Sequence, residues 1–369
     1  MKVGIITFHA SHNYGSMLQA YALSTFMSQR GCTVEIINLR TPAQYKLYPH
    51  PLDLRVRKIR GVVADMTFAP ISVIGKWYKY ERFLNKNLPI SKIYHSIEEL
   101  RDERWDIDAL VVGSDQIWNT FCDDFSEAFF GDFVGDKIIK IAYAPSMGSY
   151  PEKQVDKELV KKLYHGFAFL SVREPRTAEL LKSIGVDQDI DIVLDPTLLL
   201  NEHDYDGLYS NKRLIDGNYI YFYDPFRRAK FLKAASYIGE RLGMKVVVDR
   251  RYSPWETKGI KNLKYFVNVG PSEFLNLVKN ASLVCGHSFH SIVFSILFKK
   301  DFLALDGDKD SRLANILSQL GLEKRMVNMD NYSDFPMTSI EDYDTILGKL
   351  DTLRETSVKF LVKSGLIDG

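Results

Sequence analysis

Short runs of β-branched and aromatic residues alternate along the chain with amphipathic stretches of helical period, the pattern of a parallel sheet covered by helices on both faces. The runs predict strands at residues 2–8, 33–39, 108–113, 138–144, 167–173 and 190–194, and a second series at 218–223, 244–249, 264–269, 282–286 and 301–305, with a weaker run at 325–328. The polar, glycine-bearing stretch 201–217 between the two series reads as a linker, and residues 340–364 as a terminal helix. This order predicts an α/β protein with two Rossmann-like doubly wound domains facing across a cleft. The expected boundaries are residues 1–200, the linker 201–217, residues 218–339, and a terminal segment 340–369 packing back toward the first domain. Residues 43–104 interrupt the alternation as a long excursion that is helical in part.

In doubly wound sheets, ligands gather where strands end and helix N-termini expose free amides. Polar loops stand at those places throughout: 9–16, 114–119, 145–148, 174–177 and 195–197 in the first half, and 224–228, 250–252, 270–273, 287–290 and 306–312 in the second. In the first loop His9, Asn13, Tyr14, Gly15 and Ser16 lead from a strand into a helix. Asn13 and Gly15 can adopt unusual backbone angles and Ser16 can cap the helix, so the loop suits an anion or a hydroxyl. A purely structural turn has the same composition, and neither GxGxxG nor a P-loop ending is present.

Gly286-His287-Ser288-Phe289-His290 follows a buried-looking run and opens an apolar helix. At such a position the helix dipole disfavours imidazolium, so His290 reads as a neutral base, or as an acid recharged by substrate phosphate, with a capping histidine as the plain alternative. His287 and His290 lie three apart, but spacing marks no third ligand, and no metal is expected. Arg173 ends one strand and Arg312 opens a helix. A planar guanidinium there suits a carboxylate or phosphate, or else a salt bridge.

At 369 residues the chain exceeds one ordinary core. Its 48 Lys plus Arg against 47 Asp plus Glu leave no global field toward nucleic acid or an anionic membrane, so any anion site must be local. Residues 46–86 do carry a bias, nine Lys or Arg against three Asp or Glu, interleaved with Trp77, Tyr78, Tyr80 and Phe83. The stretch reads as a solvated helical cap or as a docking surface for an acceptor or a membrane leaflet. Cys32, Cys122 and Cys285 lack a CxxC pair and fit buried small residues in a reducing compartment. With a strand-like start and no run able to span a bilayer, the expected place is the cytoplasm, with contact at the inner face of the membrane left open.

The blocks NYGSMLQAYAL, VVGSDQIWN, AYAPSMG, SVRE, VLDPTLLL, GPSEFL, HSFHSIVFSILFKKDFLAL and SRLANILSQLGL run in order from residue 2 to about 325, and together they resemble the polysaccharide pyruvyl transferase family. The resemblance implies a glycosyltransferase-B-like pair of Rossmann domains that moves a pyruvyl group from phosphoenolpyruvate to a sugar of a surface polysaccharide, or of its lipid-linked precursor, as a ketal. It implies no nucleotide or other cofactor and no metal. His290 falls on the histidine of the family's Arg-Leu-His block, whereas Ser288 and Phe289 replace its arginine and leucine. Arg173, in the SVRE block, resembles the family's substrate-binding arginine, and Arg312 stands where it can compensate for Ser288. His290 is thus expected as general acid-base, Arg173 and Arg312 as holders of carboxylate and phosphate, and the 9–16 loop with Asp115 as contacts to donor or acceptor hydroxyls. The rival readings are a nucleotide-sugar-dependent glycosyltransferase and a non-catalytic carbohydrate-binding protein.

Overall fold

Ala109–Val112 is buried throughout, as are the last four residues of Lys2–Ile6, and strands so covered on both faces belong in the middle of a parallel sheet. In the computed structural model, which describes residues 1–53, 59, 70–148 and 156–368, these are β1 and β4 of a seven-stranded sheet. Its other members are Thr33–Leu39 (β2), Ile90–Tyr94 (β3), Ile139–Ala142 (β5), Phe169–Val172 (β6) and Asp191–Ile192 (β7), in the order β3-β2-β1-β4-β5-β6-β7. A second sheet is built from Tyr219–Tyr223 (β8), Lys245–Val248 (β9), Leu263–Tyr265 (β10), Leu283–Gly286 (β11), Phe302–Leu305 (β12) and Met326–Val327 (β13), in the order β10-β9-β8-β11-β12-β13. Every strand pairing in both sheets is parallel.

Each sheet reverses direction at its first strand, so β1/β4 and β8/β11 are topological switch points, the places where a doubly wound sheet opens a crevice at its carboxyl edge. The 9–16 and 113–116 loops leave the first switch point, and the 224–228 and 287–290 loops leave the second.

The chain divides into two compact units, one made of Met1–Val63, Glu81–Leu200 and Leu350–Gly369, the other of Ala64–Tyr80 and Asn201–Lys349. The first core joins β1, β2, β4, β5 and β6 to Trp118, Phe129, Phe130 and Leu181. The second joins β8, β9, β11 and β12 to Phe231, Leu232 and Ile238 of the helix Ala229–Leu242. Within the first unit the last turns of the terminal helix Tyr343–Lys363 are fixed to the sheet, since Ser357 accepts from the Leu194 amide at 2.9 Å and Arg354 donates to the Leu198 and Leu200 carbonyls at 2.6 and 2.9 Å.

The 43–104 excursion holds more regular structure than its composition announces. It contains the helices Pro42–Leu47 and Pro70–Asn87, and β3, whose ISKIY sequence is an edge strand too short and too polar to stand out as one. Residues 54–58 and 60–69 of the basic stretch lie outside the described residues. The run expected at 264–269 gives a strand of only three residues, because the chain leaves the β9 ladder after the Phe266 amide donates to Val248. Among the described residues no helix is long and apolar enough to cross a membrane.

Candidate active site

In the first unit the loop after β1 enters the helix Tyr14–Ser28, for which Asn13, and not Ser16, supplies the cap: its side chain accepts from the Gly15 amide at 2.9 Å. The unusual backbone angles expected at Asn13 and Gly15 are absent, since Asn13 is extended at φ −122° and Gly15 lies in the first helical turn. The strained position is Asp115 instead, at φ 69°. It follows Gly113, whose φ of +125° would place a Cβ 2.1 Å from the Tyr143 carbonyl. A side chain is thus excluded at the end of β4, and the chain can turn there tightly enough to aim Asp115 back at the helix start.

Ser16 donates to Asp115 at 2.7 Å, and Thr7 donates to the Ser114 carbonyl at 2.9 Å, so the two loops of the switch point are joined. Gln19 ties the same turn with bonds of 2.9 Å each to Thr7, to the Phe8 carbonyl and to the Ser16 carbonyl. Ser11 donates to Asp124 at 2.8 Å. Burial pushes the Asp124 carboxyl above the usual carboxylate range and the nearby charge of Asp115 adds to this. No periodicity or motif marked Asp124 in the sequence; only the fold brings it to Ser11.

The structure places His9 inside the core of the first unit. It is 1 % exposed, its Nδ1 donates to the Thr7 carbonyl at 3.0 Å, and its Nε2 lies 2.9 Å from Asn38 Oδ1. Burial holds its pKa below the ordinary histidine value. Arg173 is equally enclosed, with 2 % of its side chain exposed; it bonds Asp195 at 2.6 Å and stands 3.7 Å from Glu174 and 3.8 Å from Asp115. Asp195 is held in turn by the Thr197 amide and hydroxyl at 3.0 and 2.7 Å, and Glu174 by Ser146 at 2.7 Å and by Thr177. The guanidinium thus faces three carboxylates, those of Asp195, Glu174 and Asp115. The first unit therefore brings Ser16, Asp115 and Arg173 into one network, with Asn13, Tyr14 and Gly15 at the adjoining helix start.

The second unit repeats the device. Gly286 ends β11 at φ +156°, where a Cβ would fall 1.9 Å from the Tyr223 carbonyl. Ser288 caps the helix Phe289–Leu297, its side chain accepting from the Ser291 amide at 3.4 Å, and His290 lies in the first turn, 8 % exposed. His287 donates from Nδ1 to the Leu305 carbonyl at 2.7 Å; burial lowers its pKa, Arg228 adds to the lowering, and Asp310 and Asp224 oppose it.

Arg312 bonds Asp310 through Nε and a terminal nitrogen at 2.9 and 2.5 Å, which fixes the guanidinium plane, and its Cζ stands 5.8 Å from the Phe289 ring centre. The Arg312 guanidinium holds the Asp310 carboxyl well below the usual range against the effect of burial. Ser288, His290 and Arg312 thus gather around the start of one helix, together with His287 and with Arg228, which is paired to Asp224 at 3.0 and 2.7 Å. Arg228, Asp224 and Asp310 lie in the polar loops 224–228 and 306–312, where nothing in their spacing sets them apart from the other loop residues. Among the described residues no group of three or more His, Cys, Asp or Glu is placed to hold a metal ion.

Residues 13–309 match the family model described as polysaccharide pyruvyl transferase. Comparison with curated proteins returns no match. Among solved structures, the chain resembles a putative UDP-N-acetylglucosamine 2-epimerase from Listeria monocytogenes (9 % identity, TM-score 0.53, covering 98 % of this chain and 90 % of that one). It also resembles the UDP-GlcNAc 2-epimerase of Methanocaldococcus jannaschii in complex with UDP-GlcNAc and UDP (14 %, 0.51, 96 % and 93 %) and that of Neisseria meningitidis bound to UDP-GlcNAc (11 %, 0.50, 97 % and 100 %). At such identities the likeness is one of fold, a pair of parallel α/β sheets.

Proposed function

We infer, for a chain that belongs to the polysaccharide pyruvyl transferase family, that it is an enzyme transferring a pyruvyl group from phosphoenolpyruvate to two hydroxyls of a carbohydrate acceptor. The observation that carries this reading beyond the family match is the start of the helix Phe289–Leu297, where an imidazole and a capping hydroxyl meet a plane-fixed guanidinium brought beside Phe289 by the helix Ser311–Leu320. A helix start favours a carboxylate or phosphate, and the arginine recognises either bidentately.

In this reaction C3 of the donor takes a proton as one acceptor hydroxyl adds to C2, and the C2–O bond to phosphate then breaks as the second hydroxyl attacks. The products are the ketal and inorganic phosphate. His290 is assigned as the group that delivers the proton, and Arg312 as the holder of donor charge, in the role that the family's arginine leaves vacant at Ser288. Arg173 is assigned as a positioning residue for Asp115 rather than as a clamp. Asp115 and Asp124, with Ser11, Ser16 and the helix start at Asn13, Tyr14 and Gly15, supply the hydroxyl-binding and base groups of the first unit, while His9 supports that loop from within the core. No metal or nucleotide is called for by these roles.

The test is incubation with phosphoenolpyruvate and a panel of aryl and lipid-linked glycosides, followed by mass spectrometry and phosphate release. Product that gains a pyruvate less one water, with one phosphate per ketal, is expected. His290→Ala should lower turnover by at least about 10²-fold with an unchanged melting curve, the usual share of a positioned acid-base group. Near-normal turnover in that variant refutes the assignment. Binding of a sugar without turnover by the wild type favours the carbohydrate-binding reading, in which Ser288 only caps its helix.

A further inference from the structure

We propose that the carboxyl edge of β8, β9 and β10 is a docking surface for the anionic headgroups of a membrane. Three large aromatic side chains stand in solvent there: Phe226 in the loop after β8, Trp255 in the loop after β9 and Tyr265 at the end of β10, exposed by 64 %, 80 % and 46 %. The strands are consecutive neighbours, with Tyr265 in register with Val248 and Val248 with Phe222. The loops are joined as well, since Arg227 donates to the Arg251 carbonyl at 2.7 Å and its guanidinium lies 5.7 Å from the Tyr252 ring centre. Trp255 is the most exposed large hydrophobic among the described residues.

Charge decides the partner. Arg227, Arg251 and Lys258 are exposed among these aromatics. Asp224 is paired with Arg228 and Asp249 with Arg250 at 3.1 Å, while Glu256, which accepts from the Ser253 amide and hydroxyl at 2.6 and 2.7 Å, keeps a single negative charge against the three exposed cations. In a chain of net charge +1 this is a local cationic face. An isologous contact with a second copy would set arginine against arginine. A saccharide platform needs carboxylate or amide groups beside the ring to bind hydroxyls, and Glu256 and Asn262 are occupied, the latter by Ser236. Exposed Phe and Trp rimmed by Lys and Arg match an anionic lipid surface, the rings at the headgroup–acyl boundary and the cations among phosphates. The 46–86 stretch considered in the sequence adjoins this surface through Lys76, which feels the charges of Asp249, Arg250 and Arg227, and the proposal does not depend on the pyruvyl-transfer reading.

The experiment is co-sedimentation of the full chain with phosphatidylcholine vesicles and with vesicles that also contain phosphatidylglycerol. Tryptophan emission is followed on the same samples. Binding is expected only with phosphatidylglycerol, weakening with salt, with a blue shift in emission. Arg251→Gln with Lys258→Gln should lower the partition coefficient about 25-fold, roughly fivefold for each cation. Phe226→Ala with Trp255→Ala should remove the blue shift and lower partition about tenfold or more at low salt. Because all four side chains are exposed, the melting temperatures should match the wild type. Absence of binding to phosphatidylglycerol vesicles overturns the proposal, and so does partition that the double aromatic variant leaves unchanged. Retention of the chain by a soluble anionic polysaccharide, with the vesicles left unbound, overturns it in favour of a polymer site.

Discussion

The buried charge network of the first unit can be probed by removing either partner of its shortest bond. Arg173 and Asp195 meet at 2.6 Å with 2 % and 0 % of their side chains exposed, so neither is relieved by solvent. At an effective dielectric near 20 their gross attraction is roughly 6 kcal/mol, most of it offset by desolvation. Breaking such a pair from one side nonetheless costs about 3–5 kcal/mol, because the survivor stays buried. The structure ranks the two ways of doing so. Asp195→Asn leaves Arg173 facing Glu174 and Asp115 at 3.7 and 3.8 Å, which retains partial compensation. Arg173→Met leaves three carboxylates around an apolar side chain.

The first change should therefore fall near about 3 kcal/mol and the second near about 5 kcal/mol or above. For a unit of this size those losses correspond to melting shifts of about 6–12 °C and about 10–20 °C. Calorimetry gives the shift, and hydrogen exchange should show protection lost in β4–β6 while β11 and β12 keep theirs. A shift under about 3 °C for Arg173→Met, or a larger loss for Asp195→Asn than for Arg173→Met, would refute the scaffold role argued for this arginine.

Three other outcomes are expected. His9 and His287 both have folded pKa values lowered by burial, so below about pH 6.5 the unfolded chain binds more protons and stability present above that pH is lost as it falls. Urea denaturation between pH 8 and pH 5.5 should show it, with His9→Gln flattening the slope for the first unit by up to about 1.4 kcal/mol per pH unit. Gly113→Ala and Gly286→Ala should each destabilise their own unit by at least about 3 kcal/mol, whereas Gly185→Ala, also at positive φ (+92°) but with nothing within 4 Å of its Cβ, should cost only about 1 kcal/mol in the same denaturation assay. Arg312→Lys should raise the KM for phosphoenolpyruvate more than it lowers kcat in steady-state kinetics, since a point charge cannot reproduce a fork held flat by Asp310; an unchanged KM would remove Arg312 from the donor site.

Period and composition alone carried the fold class. Buried parallel strands are written as continuous apolar runs with helical stretches between them, and that local signal survives without tertiary help, down to the helix start at His290. The motif blocks carried the family for the same reason, being contiguous in sequence. Contacts across long separations were settled only by the fold. Asp124 meets Ser11 113 positions away, and Arg173 meets Asp195 22 positions away, and no local pattern encodes either. The sequence equally left open which arginine is enclosed and which sits at a helix start, because both stand at strand or helix ends in polar company. Strand β3 has no legible signal in the sequence because an edge strand keeps polar residues facing solvent, and its place beside β2 is decided by pairing, not by its own residues. The backbone strain moved from Asn13 and Gly15 to Asp115 because the switch point demands a tight exit from β4, where the Tyr143 carbonyl leaves no room for a Cβ at Gly113.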